Sequence, residues 1–209
     1  MDRRELEEQM AAAGLDSPVA IQAFLDAIPY SAEEVYRSPA SVLRDRMGHC
    51  FDGALFAAAA LRRLGHPPRI VDMSAVRDDD HILAVYKRFG CWGAVAKSNY
   101  VGLRFREPIY RSLRELVLSY FELFYNVAGE KTLRAYTVPL DLSGFDRSDW
   151  TTCDLHLEEI ALRLDEIRRF PVLTEEMVAN LAAVDPRSLT AGLMGANAAG
   201  LYKPEGWKP

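Results

Sequence analysis

Apolar residues recur at helical spacing through the first third of the chain and switch to strand-like alternation just past residue 66. Residues 4–14 read as a helix ended by Gly14. Asp16-Ser17-Pro18 opens a second helix that runs to about Ile28, with a cap residue and a proline just inside it. Pro29 and Ser31 break that helix. Ser31-Ala32-Glu33-Glu34 has capping-box spacing for a short third helix, and Ser38-Pro39 opens a further turn. From Cys50 the pattern is apolar on every side, through Ala54-Leu55-Phe56-Ala57-Ala58-Ala59-Ala60-Leu61, and it stops at Arg62, Arg63 and Gly65. Such a helix is buried all round, with close neighbours, and its basic last turn suits a C-terminus.

After His66-Pro67-Pro68 three strands are predicted, over 69–73, 81–86 and 91–96. Asp78-Asp79-Asp80 and Arg88-Phe89-Gly90 are the turns between them, giving an antiparallel meander against the Ala-rich helix. Pro108 then opens a long helix from Ile109 to about Asn126, and a fourth strand follows over Leu133 to Leu140. Asp149 caps a helix over 150–169, and Thr174-Glu175-Glu176 opens another that reaches about Val184. The last twenty residues read as a tail or arm on the surface. Helices, a central helix, a meander and more helices make an α+β chain, not an alternating one. The expected organisation is a single domain, 1–209, with an N-terminal helical part (1–44), a core (45–140), C-terminal helices (141–189) and a tail (190–209).

The 209 residues are 49% hydrophobic and 26% charged, which excludes a long disordered protein. The net charge of −5 removes the bulk basic footprint of a nucleic-acid binder. The longest apolar run, Ala54 to Leu61, falls far short of the roughly 20 residues a membrane span needs. The acidic start, Met1-Asp2-Arg3-Arg4-Glu5, is unlike an export signal, so the cytoplasm of a bacterial-type cell is the expected location. No nucleic acid and no membrane are expected as partners. The three cysteines, Cys50, Cys91 and Cys153, are expected to be thiols there.

Cys50 begins the Ala-rich helix, where unpaired N–H groups carry partial positive charge. A thiolate is stabilised at such a place, so its pKa is expected to fall, and the same N–H groups suit a developing oxyanion. Gly48 lets the chain approach at a sharp angle, while Asp52 in the first turn opposes a thiolate. His49, beside Cys50, points away as a cap or rim residue, and Cys91 and Cys153 are packed thiols. His81 opens the second strand, and a His there facing Cys50 is the pair that Cys–His nucleophilic catalysis needs. There is no C-x2-C, no H-E-x-x-H and no Gly-rich phosphate loop, so no metal and no cofactor is expected.

The run Gly48-His49-Cys50-x3-Ala54-x6-Leu61-Arg62-Arg63-Leu64-Gly65-His66-Pro67-Pro68-Arg69-Ile70-Val71 resembles the transglutaminase-like domain of the papain-like cysteine enzymes. Asp80-His81 at a strand head and a strand containing Trp92 continue the resemblance, which covers residues 45–100. It implies a central helix begun by the Cys, packed on a small antiparallel sheet, with extra N- and C-terminal helices. It also implies Cys50 and His81 as catalytic residues, with a third polar residue on the next strand. The family carries an Asp four residues after the strand Trp; here that place is Ala96. Asn99 is then the expected orienter of His81, as an Asn is in papain-like proteases, with Ser98 as the alternative because it shares strand parity with residue 96.

Trp92, Lys97 and Arg104 are the candidate substrate-binding residues. If Lys97 and the arginines at 104, 106, 111 and 114 reach the cleft, a carboxylate-bearing substrate is favoured. The expected function is cysteine-dependent acyl transfer or hydrolysis of a small-molecule or peptide amide or thioester. The alternatives are a non-catalytic binding protein on the same scaffold, and an assembly role in which the aromatic 109–126 helix and the C-terminal arm make an oligomer interface.

Overall fold

The computed structural model describes residues 1–207; residues 208 and 209, the end of the expected tail, lie outside the described residues. The fold is mixed α+β, with a seven-stranded antiparallel sheet and helices before and after it.

Helix α1 (Arg3–Ala12) starts where the Asp2 side chain accepts the Glu5 N–H at 2.8 Å. Helix α2 (Pro18–Ala27) starts at Ser17 and Pro18. The expected helix at Ser31-Glu34 does not form. The Ser31 hydroxyl instead accepts the Glu33 N–H and the Arg37 guanidinium, which closes a turn. Helix α3 (Pro39–Asp45) is capped by Ser38 and stopped by Arg46 in the left-handed region, φ 54°. Helix α4 (Cys50–Arg63) is buried continuously from Phe51 to Leu61, as its apolar circumference predicts.

The meander follows as β1 (Arg69–Ala75), β2 (His81–Arg88) and β3 (Cys91–Val95). Strands β4 (Arg106–Tyr110), β5 (Leu133–Thr137), β6 (Leu140–Asp141) and β7 (Arg169–Pro171) complete a sheet of order β4-β3-β2-β1-β5-β7, with β6 also on β1. In-register pairing sets Met73 against His81 and Val95 against Ala84. Alternation then divides the core. Ile70, Ala84, Tyr86 and Val95 pack with α4, while Val71, Met73, Leu83 and Val85 pack with Tyr120, Phe124 and Tyr125 on the other face.

The long helix expected over 109–126 is replaced by β4, a short α5 (Leu113–Leu118) and a 3-10 turn. Pro108 sits in an edge strand, the place in a sheet where a missing N–H is tolerated. Tyr120, Phe124 and Tyr125 are fully buried in the chain's own second core, so they offer no assembly surface. The helix expected over 150–169 is α6 (Leu157–Glu166), followed by β7, and the one opened by Thr174 is the short α7 (Glu175–Ala179). The arm contains a further helix, α8 (Pro186–Gly192). Among the described residues no helix is long and apolar enough to cross a membrane.

Candidate functional site

Cys50 is the first residue of α4, and three contacts fix that start. The His49 N–H donates to Asp52 Oδ2 at 3.1 Å, so Asp52 caps the helix from its own first turn. Asp52 is fully buried and also accepts the Arg37 backbone N–H at 2.8 Å, with the Arg37 guanidinium 3.6 Å away. Ser31 N–H donates to the Gly48 carbonyl at 3.1 Å, laying Tyr30 parallel to residue 48. The Tyr30 ring thereby sits beside Cys50, whose backbone N–H and sulfur both act on the Tyr30 hydroxyl. Asp52 was legible only as a charge opposing a thiolate; it is the buried anchor of the turn that presents Cys50.

The Cys50 sulfur rests on the backbone at the head of β2, 3.8 Å from the Asp80 carbonyl oxygen. Burial pushes its thiol up to about 12; the Ile82 N–H pulls the other way, and Asp79, Asp52 and Asp72 add to the rise. This direction is opposite to the fall expected of a helix N-terminus. Desolvation and the nearby carboxylates act against the helix field.

His81 is nearly fully buried, with its ring edge-on to Phe124. Its Nε2 lies 2.7 Å from the Leu103 carbonyl oxygen. A carbonyl only accepts, so Nε2 carries the proton and Nδ1 is the basic nitrogen. Burial holds the imidazole well below its usual range, down to about 4, with the Leu103 carbonyl raising it and Arg106 lowering it. His81 alternates with Ile82, so its ring belongs to the sheet face opposite α4. Cys50 and His81 nevertheless line one inner cavity of about 30 Å³ at the end of β2. That volume has room for one water. No hydrogen bond joins the two side chains directly.

The other expected site residues are employed elsewhere. Asn99 does not hydrogen-bond to His81: its Nδ2 donates to the carbonyls of Asn197 and Gly200 at 2.9 and 3.0 Å, and its Oδ1 accepts the Asn197 N–H at 2.8 Å. Ser98 accepts the Tyr100 N–H at 3.0 Å. Both still border the inner cavity. The orienting role expected of Asn99 or Ser98 is met by the Leu103 carbonyl, which no side-chain pattern announces. Ala96 is locked by Gln22, which takes its N–H and donates to its carbonyl.

Lys97 Nζ donates to the carbonyls of Leu25 and Ile28 at the end of α2, where burial lowers its pKa to about 8. Trp92 pairs with Lys87, whose ammonium stands 4.4 Å over its ring. That places Trp92 about 20 Å along β2 from His81 at strand rise. Arg104 pairs with Asp26 at 2.9 Å, Arg106 stacks on Tyr120, and Arg114 donates to the Val172 carbonyl. Lys97 and Arg104 line a separate pocket of about 240 Å³ beside Asp26, and neither they nor the other arginines line the cavities at Cys50, so the expected cationic cleft is not formed there.

A second, outer cleft of about 770 Å³ opens above Cys50. Tyr36, His49 and Phe51 form an aromatic wall, and Glu33, Glu34, Asp79, Asp80 and Glu158 supply its charge. The C-terminal arm, which the sequence assigned to an interface, closes the rest. Gly200 and Tyr202 border both cavities. Asn197 Nδ2 donates to the Tyr30 carbonyl at 3.0 Å, the Val101 N–H donates to Gly192, and Tyr125 donates to Ser188. The arm is thus bound along the chain itself.

Among the described residues no group of three or more His, Cys, Asp or Glu is placed to hold a metal ion. No protein-family model matches the chain, and no curated protein matches it.

Proposed function

We propose that the chain is a cysteine-dependent enzyme of acyl transfer or amide and peptide hydrolysis, built on a transglutaminase-like core. The observation that carries the reading is the cavity shared by Cys50 on α4 and His81 on β2, at the floor of the outer cleft. Cys50 attacks the carbonyl carbon of an amide or thioester. Its proton passes across the inner cavity to His81 Nδ1, and His81 returns it to the leaving group as the tetrahedral intermediate collapses to a thioester. Water or an amine then releases the acyl group. The Leu103 carbonyl holds the imidazole in the required tautomer. The Tyr30 hydroxyl, which the Cys50 N–H holds in place, supplies the oxyanion donor. A thiol near 12 and an imidazole near 4 make a neutral resting pair, so proton transfer accompanies attack and no thiolate is stored beforehand. Cys50, Cys91 and Cys153 are all free thiols, which supports a reducing, cytoplasmic setting.

The same raised thiol, and the absence of a direct bond between Cys50 and His81 among the described residues, favour a second reading: a binding protein on the same scaffold. Acyl-enzyme trapping separates the two. The intact protein is mixed with a panel of amides and aryl thioesters and the Cys50 peptide is followed by mass spectrometry. Acylation lost in both Cys50→Ser and His81→Ala supports the enzyme; no acylation with any member leaves the binding protein.

A further inference from the structure

The outer cleft has walls of one sign. Five carboxylates line it, and among the described residues no lysine or arginine does. Glu33 is neutralised from behind by Arg37. Glu34, Asp79, Asp80 and Glu158 have no ion pair among the described residues. Asp78, next to them at the inner cavity, is held by Thr132 and by the Asp79 N–H, and burial raises its carboxyl to about 6.

Two independent features point to what relieves this charge. The Tyr100 side chain is 8% exposed, borders the inner cavity near Asp78 and Asp79, and its buried hydroxyl has no hydrogen-bond partner. On the outer side, the exposed Tyr36 ring stands beside the carboxylates, backed at 4.8 Å by the buried Phe51, and offers a face of the kind that attracts a cation. The carboxylates and the Tyr36 face favour a cation and repel an anion, while the open Tyr100 hydroxyl, donor and acceptor alike, marks the inner end of the acidic run as unfilled.

We infer that the Cys50 cleft takes an amide or thioester whose group next to the reacting carbonyl carries an ammonium or guanidinium charge, held between Glu34, Asp79 and Asp80. The inference rests on the acyl-transfer reading for the reacting carbonyl, while the charge preference stands on the lining alone. It reverses the carboxylate-bearing substrate that the arginine-rich stretch suggested.

The test uses the intact chain and reads Cys50 separately from Cys91 and Cys153 by mass spectrometry. Two methanethiosulfonates of equal length, one ending in trimethylammonium and one in sulfonate, are compared at low ionic strength and normalised to free cysteine. The cationic reagent is expected to modify Cys50 faster by about tenfold or more, and the ratio is expected to fall towards one in high salt. Glu34→Gln with Asp79→Asn is expected to shrink the low-salt ratio. N-acetyl-arginine amide is expected to protect Cys50, and its neutral isostere N-acetyl-citrulline amide is not. A normalised ratio near one in the unmodified chain, or equal protection by the two amides, overturns the inference. A charge preference without acyl-enzyme formation sinks the acyl-transfer reading alone. Acylation without a charge preference sinks the charge inference alone.

Discussion

Asn99 and Asn197 clasp one another across the chain, the Asn197 N–H reaching Asn99 Oδ1 at 2.8 Å and Asn99 Nδ2 reaching the Asn197 carbonyl at 2.9 Å. A residue that the family pattern suggested for catalysis is the clasp of the arm that covers the site. Breaking it in Asn99→Ala leaves buried backbone groups unpaired, at a cost of about 1–3 kcal/mol. The arm then lifts from Cys50, and a neutral alkylating reagent modifies Cys50 several-fold faster while Cys153 is unaffected. Mass spectrometry of the three cysteine peptides checks this. Unchanged Cys50 labelling means that the arm is no cover.

Cys50 is expected to be a slow thiol. With its pKa pushed up to about 12, it is protonated at neutral pH, and its alkylation rate climbs about tenfold per pH unit through the range where a free cysteine has already levelled near 8.5. Asp79→Asn removes a carboxylate that raises the thiol, so the rate at pH 8 increases. A Cys50 that titrates below 8.5 contradicts the burial argument.

Acid acts on this fold through opposed groups. His81 is held near 4 against an ordinary 6.5, so the unfolded chain binds the extra proton between those values. Stability from this group is present above about 6.5 and is lost as pH falls towards 4, on the order of 3 kcal/mol. Asp72 and Asp78, raised to about 6 chiefly by burial, have the opposite sign: the folded chain takes up their protons first, and stability is gained as pH falls from above 6 to about 4. Asp78→Asn is therefore expected to be more stable than the parent at pH 8 and to lose that advantage by pH 4. Urea unfolding at the two pH values gives the comparison, and an equal difference at both contradicts the assignment.

Arg37 and Asp52 form the buried pair under Cys50, with the carboxylate wholly enclosed. Arg37→Met strands that charge and is expected to cost about 3–5 kcal/mol. Adding Asp52→Asn removes the stranded charge, so the double variant recovers part of the loss in denaturant unfolding. A double variant less stable than the single one contradicts the pairing.

The central helix and the three-stranded meander were legible because their signals are local: an apolar circumference over 54–61 and alternation bounded by turn residues at 78–80 and 88–90. Pro108 misled because its backbone suits a helix start and an edge strand equally, and only the neighbouring strand decides between them. Cys50 and His81 stood out by residue type and position. The Leu103 carbonyl could not, since every residue has one. Asn99 was legible as a polar residue past the strand, but its partner lies 98 positions away on an arm that carries no hydrophobic periodicity. The sign of the cleft was missed for the same reason: Glu33, Glu34, Asp79, Asp80 and Glu158 converge only once the chain is folded.

The two outermost strands of the sheet, β4 and β7, each contain a proline, Pro108 and Pro171, and each carries arginine. A proline offers no N–H to an incoming backbone, and a charged side chain resists being dehydrated against one. Both rims thus carry features that discourage pairing with another strand. A fold with seven strands and two open rims is thereby expected to resist fibrous stacking at high concentration, through residues that do not line the cavities at Cys50.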